Sequence, residues 1–141
     1  MAAATRERSE PVDASDSALA TVLSFCRSWS SGDPDRICAF LSDAAEWENV
    51  PLGIRRGRAE IRQRLVEVFS AAARIDWKVL HAVATLDGHV LTERIDVVDS
   101  DGRCVELRLM GIFRVTEGRI TLWRDYFDLE SYRKALGRSS I

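Results

Sequence analysis

"LTERIDVV", residues 91–98, decides how this chain is read. The run is rich in β-branched and aliphatic residues and holds no glycine or proline, so it reads as a β-strand. Side chains alternate between the faces of a strand. Thr92, Arg94, Asp96 and Val98 therefore share one face, and Leu91, Glu93, Ile95 and Val97 the other. An arginine and an aspartate thus stand side by side among aliphatic neighbours. Burying either alone is costly, so the pair needs each other or a further partner.

Working outward, three similar runs surround this strand. "IDWKVLHAVATL" precedes it, and "CVELRLMGIFRVT" and "ITLWRDYFDL" follow. The separators "DG", "DSDG" and "TEG" are short turn signals, which predict consecutive antiparallel hairpins. The front half is helical. "SDSALATVLSFCRSWSSGD" places Leu19, Val22, Leu23, Cys26 and Trp29 at helical spacing, with Asp16 or Ser17 as cap and Gly32 as stop. Asp33-Pro34 starts a second, short helix, and "AEWENVPLG" is a short extended piece followed by a loop. "GRAEIRQRLVEVFSAAA" carries an apolar stripe of Ile61, Leu65, Val68, Phe69 and Ala72. "DLESYRKAL" closes the chain as a short helix. Helices followed by a strand meander predict an α+β fold, a strongly curved sheet with helices on one side. Its concave side is a natural place for a small-molecule pocket.

The last strand places Thr121, Trp123, Asp125 and Phe127 on one face. Asp125 is a second carboxylate in apolar surroundings. The five donors of Arg94 are enough to hold Asp96 and Asp125 together. One guanidinium with two carboxylates favours taking up one proton, and such a pair titrates as a coupled unit. The product is one acid and one carboxylate at neutral pH, which concerted acid–base chemistry requires. An Asp–Arg–Asp group can equally serve only to specify the fold, and "TERID" can be an edge strand with solvated charges. Alternation does not by itself bring Asp96 to Asp125.

The 141 residues fit one domain, with residues 1–15 as a polar, aperiodic arm and 16–141 as the folded unit. A formal net charge of -2 with interspersed signs gives no basic stripe for nucleic acid. No segment reaches the length of a membrane span and none reads as a signal peptide, so the expectation is a cytoplasmic protein. Cys26, Cys38 and Cys104 read as buried reduced thiols, without metal-ligand spacing. His81 shares a face with Trp77 and Val79 and reads as a packed or hydrogen-bonded ring; His89 follows a turn and reads as exposed.

The segments "WENVP", "TERIDVV" and "EGRITLWRDYFDL", in this order, resemble the limonene-1,2-epoxide hydrolase family over roughly residues 17–136. The resemblance implies an NTF2-like (cystatin-like) α+β cone, a curved mixed or antiparallel sheet wrapped around N-terminal helices with a deep apolar pocket. Ketosteroid isomerases and SnoaL-type cyclases share that cone. It implies that Asp96 is the general acid on an epoxide oxygen, Asp125 the general base on water, and Arg94 the bridge between them. Water then opens the ring in one step to a vicinal diol, without an ester intermediate, a metal or an organic cofactor. The substrate implied is a small apolar epoxide, cyclic or terpene-like, and a homodimer is common in the family. The family's Y-x-N-x-P segment is here "WENVP". Asn49 matches, and Trp47 stands where a water-holding tyrosine is expected. An indole N–H can only donate. Carried over by position, Leu65, Val68, Phe69, Val98, Leu107, Leu109, Phe127 and Tyr132 are candidates to line the substrate site.

Two other readings stay open. One is a cyclase or isomerase on the same cone, using one aspartate as a carbon base with a protonated Asp96 stabilising the oxyanion. The other is a non-catalytic cone that binds a small apolar ligand. An α/β-hydrolase is poorly supported, since the chain is short and has neither G-x-S-x-G nor a βαβ order.

Overall fold

The computed structural model describes residues 14–135. Helix α1 (Ala14–Ser28) runs into a 3₁₀ turn at Trp29–Ser31, followed by α2 (Pro34–Cys38), β1 (Leu41–Asn49), β2 (Gly53–Arg56) and α3 (Arg58–Ala71). Four long strands follow: β3 (Arg74–Ala84), β4 (His89–Ser100), β5 (Arg103–Thr116) and β6 (Arg119–Tyr126), and α4 (Leu129–Ala135) comes last. The strands form one curved sheet in the order β2-β1-β6-β5-β4-β3. All pairs are antiparallel except β1 with β6, which makes the sheet mixed.

Two of the expected turns follow from their residues. Asp101-Gly102 and Glu117-Gly118 each hold positive φ at both positions, the type I′ geometry whose twist matches that of the flanking strands. Asp33 caps α2 by accepting from the backbone N–H groups of Asp35 and Arg36, with Pro34 in the first turn.

The helices cover the concave face. Phe25 of α1 is fully buried and meets Trp29, Phe40, Trp77, Phe113 and Trp123 edge to face at 5.0–6.4 Å between ring centroids. Burying such a ring contributes roughly 1.5–3 kcal/mol. Ile61 and Leu65 of α3 belong to the same buried cluster, against which Val68, Phe69 and Ala72 pack half-buried.

Several expectations need correction. α1 begins at Ala14, so Asp16 lies in its first turn rather than capping it; residues 1–13 of the expected arm lie outside the described residues. The buried stripe of α1 centres on Ala18, Val22, Phe25 and Cys26, and not on Leu23. The extended piece at Trp47 is a nine-residue strand, and the loop after it contains the edge strand β2. Cys104 is exposed. The register of β3 shifts between Val79 and His81, so His81 faces Glu93 on the outer side and its side chain is 84% exposed. Its ring meets the Glu93 carboxylate at 3.3 Å. His89 is partly covered and meets Asp87 at 2.9 Å.

Candidate active site

Strand pairing brings the predicted charges together on the concave face. Asn49, Asp125, Gly111 and Thr92 are successive neighbours across β1, β6, β5 and β4. Arg94 lies opposite Leu109, and Asp96 lies between Leu107 on one side and Trp77 on the other. The carboxylates are therefore two strands apart. Arg94 spans the gap: its Nε donates to Asp96 Oδ1 at 2.8 Å, and its Nη2 donates to Asp96 Oδ2 at 3.3 Å and to Asp125 Oδ2 at 2.8 Å. Side-chain exposure is 0% for Arg94, 5% for Asp125 and 14% for Asp96, so the group is buried and opens most at Asp96.

The two carboxylates stand in different environments. Asp125 Oδ2 accepts from Arg94 and also from Trp123 Nε1 at 3.0 Å, while Asp125 Oδ1 is buried with no hydrogen-bond partner. Burial pushes the Asp96 carboxyl up to about 7 against the pull of Arg94, and the neighbouring Asp125 adds to the rise. A carboxyl poised there carries a proton over much of the neutral range. Cys26 of α1 feels the charges of all three members, and burial pushes its thiol up to about 12, so it stays a neutral thiol.

Trp47 is buried and lies flat on Trp123, 4.2 Å between centroids at 5°. Its indole N–H is buried without a partner. Asn49 is half-buried on the same strand, in register with Asp125.

Of the expected lining residues, Leu109 is buried and Leu107 half-buried, and these two flank the triad from β5. Val98 is half-buried two residues beyond Asp96 and packs on the core. Leu65 is wholly buried in the core, Val68 packs against it, and Phe69 meets Trp29 at 5.5 Å. Phe127 lies just past the end of β6 and packs on Tyr132 of α4 at 5.3 Å. Two surface clefts lie elsewhere. One is lined by Arg74, Asp76, Lys78, Val97 and Asp99, and the other by Asp35, Cys38, Ala39, Arg58, Ala59 and Arg62.

The sequence reading missed Gly111. A Cβ there would lie 2.5 Å from Arg94 Nη1, 2.7 Å from Asp125 Oδ1 and 3.0 Å from Thr92 Oγ1. Only a bare backbone at this point of β5 lets the guanidinium cross to β6. The available signal was a lone glycine inside a strong strand pattern, which marks a close approach. Thr92 was also missed; it is buried, and its hydroxyl lies 3.5 Å from Arg94 Nη1.

Comparison with known proteins points the same way. The family model described as limonene-1,2-epoxide hydrolase catalytic domain matches residues 16–138. The chain is similar to epoxide hydrolase EphG of Mycobacterium tuberculosis, at 35% identity over 124 residues, 85% of this chain and 79% of that protein. It superposes on the structure of an M. tuberculosis LEH-like epoxide hydrolase with a TM-score of 0.78 at 32% identity, over 88% of this chain and 92% of that one. At 17% identity it shares the fold of a protein from Catenulispora acidiphila with a ketosteroid isomerase-like fold, TM-score 0.75, over 84% and 93% of the two chains.

Proposed function

Since the chain belongs to the limonene-1,2-epoxide hydrolase family, and is an epoxide hydrolase of that family, we propose that it adds water in one step to a small apolar epoxide, cyclic or terpene-like, giving a vicinal diol. The observation that carries this reading is the sharing of Arg94 by two carboxylates whose surroundings differ. Asp96, the more open of the two, gives its proton to the epoxide oxygen as the ring C–O bond breaks. Water attacks the ring carbon and releases its proton to Asp125. Oδ1 is the oxygen suited to take it, because Oδ2 is already held by Arg94 and Trp123. Asn49 stands beside Asp125 to help hold the water. One turnover leaves Asp96 ionised and Asp125 protonated, and a proton exchanged through solvent resets the pair. Trp47 cannot accept from the water as a tyrosine oxygen would.

The test is diol formation from a panel of cyclic and aryl epoxides in ¹⁸O-labelled water. Label in the diol from the first turnover supports direct attack. A folded protein that yields no diol from any epoxide would turn the assignment toward a cyclase, an isomerase or a ligand-binding cone. The pH dependence is expected to have a fixed sign. Asp96 must be protonated to act, so kcat falls as pH rises through about 7. A flat profile from pH 6 to 9 would remove Asp96 from the acid role.

Gly111→Ala tests the crossing. Its methyl group must displace Arg94, Asp125 or Thr92, and misplacement of this kind costs about 10²-fold in kcat. Unchanged kinetics in a folded variant would show that the bridge tolerates a side chain beneath it.

A homodimer and a cytoplasmic location complete the proposal. The outer sheet face carries Met110 beside Tyr126, about half exposed, with Leu80 at 43% and Val83 at 60%. That is apolar surface suited to a second copy. The three cysteines are free, which suits a reducing compartment. Among the described residues no helix is long and apolar enough to cross a membrane.

A further inference from the structure

Arg94 makes one contact that the hydrolytic scheme leaves unused. Its guanidinium carbon lies 3.8 Å from the centroid of the Trp77 ring. Trp29 is stacked on the same ring at 4.1 Å and 15°. Two groups this close to one centroid must occupy opposite faces of the indole, so Trp77 is clamped between Trp29 and the guanidinium. Phe25 at 5.7 Å and Trp123 at 5.6 Å meet Trp77 at steep angles and fix its plane. Trp77 is also the cross-strand partner of Asp96.

This arrangement does two things. The guanidinium donates to both carboxylates through its edge while one face rests on an aromatic surface. The face contact therefore restricts rotation out of the plane in which the hydrogen bonds form. An indole also attracts a cation through its quadrupole, more than phenylalanine does, and an aliphatic side chain lacks that attraction. The same ring covers the Arg94–Asp96 pair on its β3 side.

We infer that Trp77 is a positioning residue of the hydrolase, which holds Arg94 in the plane where it donates to Asp96 and Asp125. The inference rests on the catalytic reading of the triad. It makes Trp77 more than filler, because losing bulk alone would admit water and lower the Asp96 midpoint, whereas losing the grip on Arg94 weakens the pull that opposes burial and raises it. The charged or titratable groups facing Asp96 are Arg94 on its own strand, Asp125 from β6 and Cys26 from α1. Trp77 of β3 and Leu107 of β5, its cross-strand partners, do not titrate. Trp77 is thus a large neighbour that acts on Asp96 through Arg94 and not through a charge of its own.

The experiment compares the wild type with Trp77→Phe and Trp77→Leu. The readout is the titration of the Asp96 side-chain carboxyl by ¹³C NMR, assigned with Asp96→Asn, together with the pH profile of kcat. A loosened Arg94 disfavours the ionised form, so the Asp96 midpoint is expected to rise by about one unit in Trp77→Leu and by less in Trp77→Phe, which keeps an aromatic face. The falling limb of kcat moves with it. A midpoint unchanged or lowered in a folded variant overturns the inference. If Trp77→Leu does not fold, Trp77→Phe decides by the same criterion. The titration needs no substrate, so an absence of epoxide turnover would count against the hydrolase reading while the midpoint still judges Trp77.

Discussion

Replacing Asp125 with asparagine is expected to cut diol formation by about 10²–10⁴-fold, the usual worth of a positioned general base. The substitution is nearly isosteric. The remaining amide oxygen can still accept from Trp123 and Arg94, as Oδ2 does now. What is lost is a site with the basicity to take a proton from water. The fold should survive well, because Arg94 keeps Asp96 as a partner, and Asp96 can ionise to leave the buried group neutral. The measurement is kcat by chromatographic quantitation of diol, alongside thermal unfolding. A variant within tenfold of wild type would mean that the water loses its proton to some other group. Asp96→Asn is the companion. It should fail as badly, and its residual rate should no longer decline through about pH 7.

Arg94→Met should act first on stability. Arg94 is wholly buried and pairs with both aspartates, so its removal leaves two carboxylates in an apolar site. Breaking such a buried group costs about 3–5 kcal/mol. Without the cation, each carboxylate escapes repulsion and desolvation by binding a proton. A carboxyl whose folded pKa lies above its unfolded value of about 3.9 contributes stability fully only below that value. The contribution is lost as pH rises through the folded pKa. Asp96 already stands at about 7 with Arg94 present, and the variant pushes it further. The destabilisation should therefore be larger at pH 8 than at pH 5 in urea unfolding. A loss below about 1 kcal/mol, equal at both pH values, would mean that the carboxylates are solvated and paired only at the surface.

The order of helices and hairpins was legible because its signals are local. "DSDG" and "TEG" close type I′ turns whose geometry depends on the residues inside them. Alternation also placed Arg94 and Asp96 on one face of β4, and the structure turns that face inward. Most of what was hidden is non-local. β1 runs through polar Ser42 and Asp43 and is held by a parallel partner 76–79 residues away, so its own residues announce little of it. The bulge at Leu80 turned His81 outward without any mark in the composition around it. At the site, the sequence named both carboxylates and their arginine, but their meeting depends on Gly111, which contributes space and no chemistry. The grip of Trp77 on Arg94 arises from packing between strands and from Trp29 behind it.

All four tryptophans of the chain stand in one cluster, as the flat pairs Trp29–Trp77 and Trp47–Trp123. Indoles at that separation share their excited states. The protein's near-ultraviolet circular dichroism should therefore be dominated by coupled transitions of these two pairs rather than by independent rings. One pair touches Arg94, and a ring of the other donates to Asp125. The chain thus carries its own unlabelled optical reporter, and any event that shifts the guanidinium or the carboxylate is written into the light the protein absorbs.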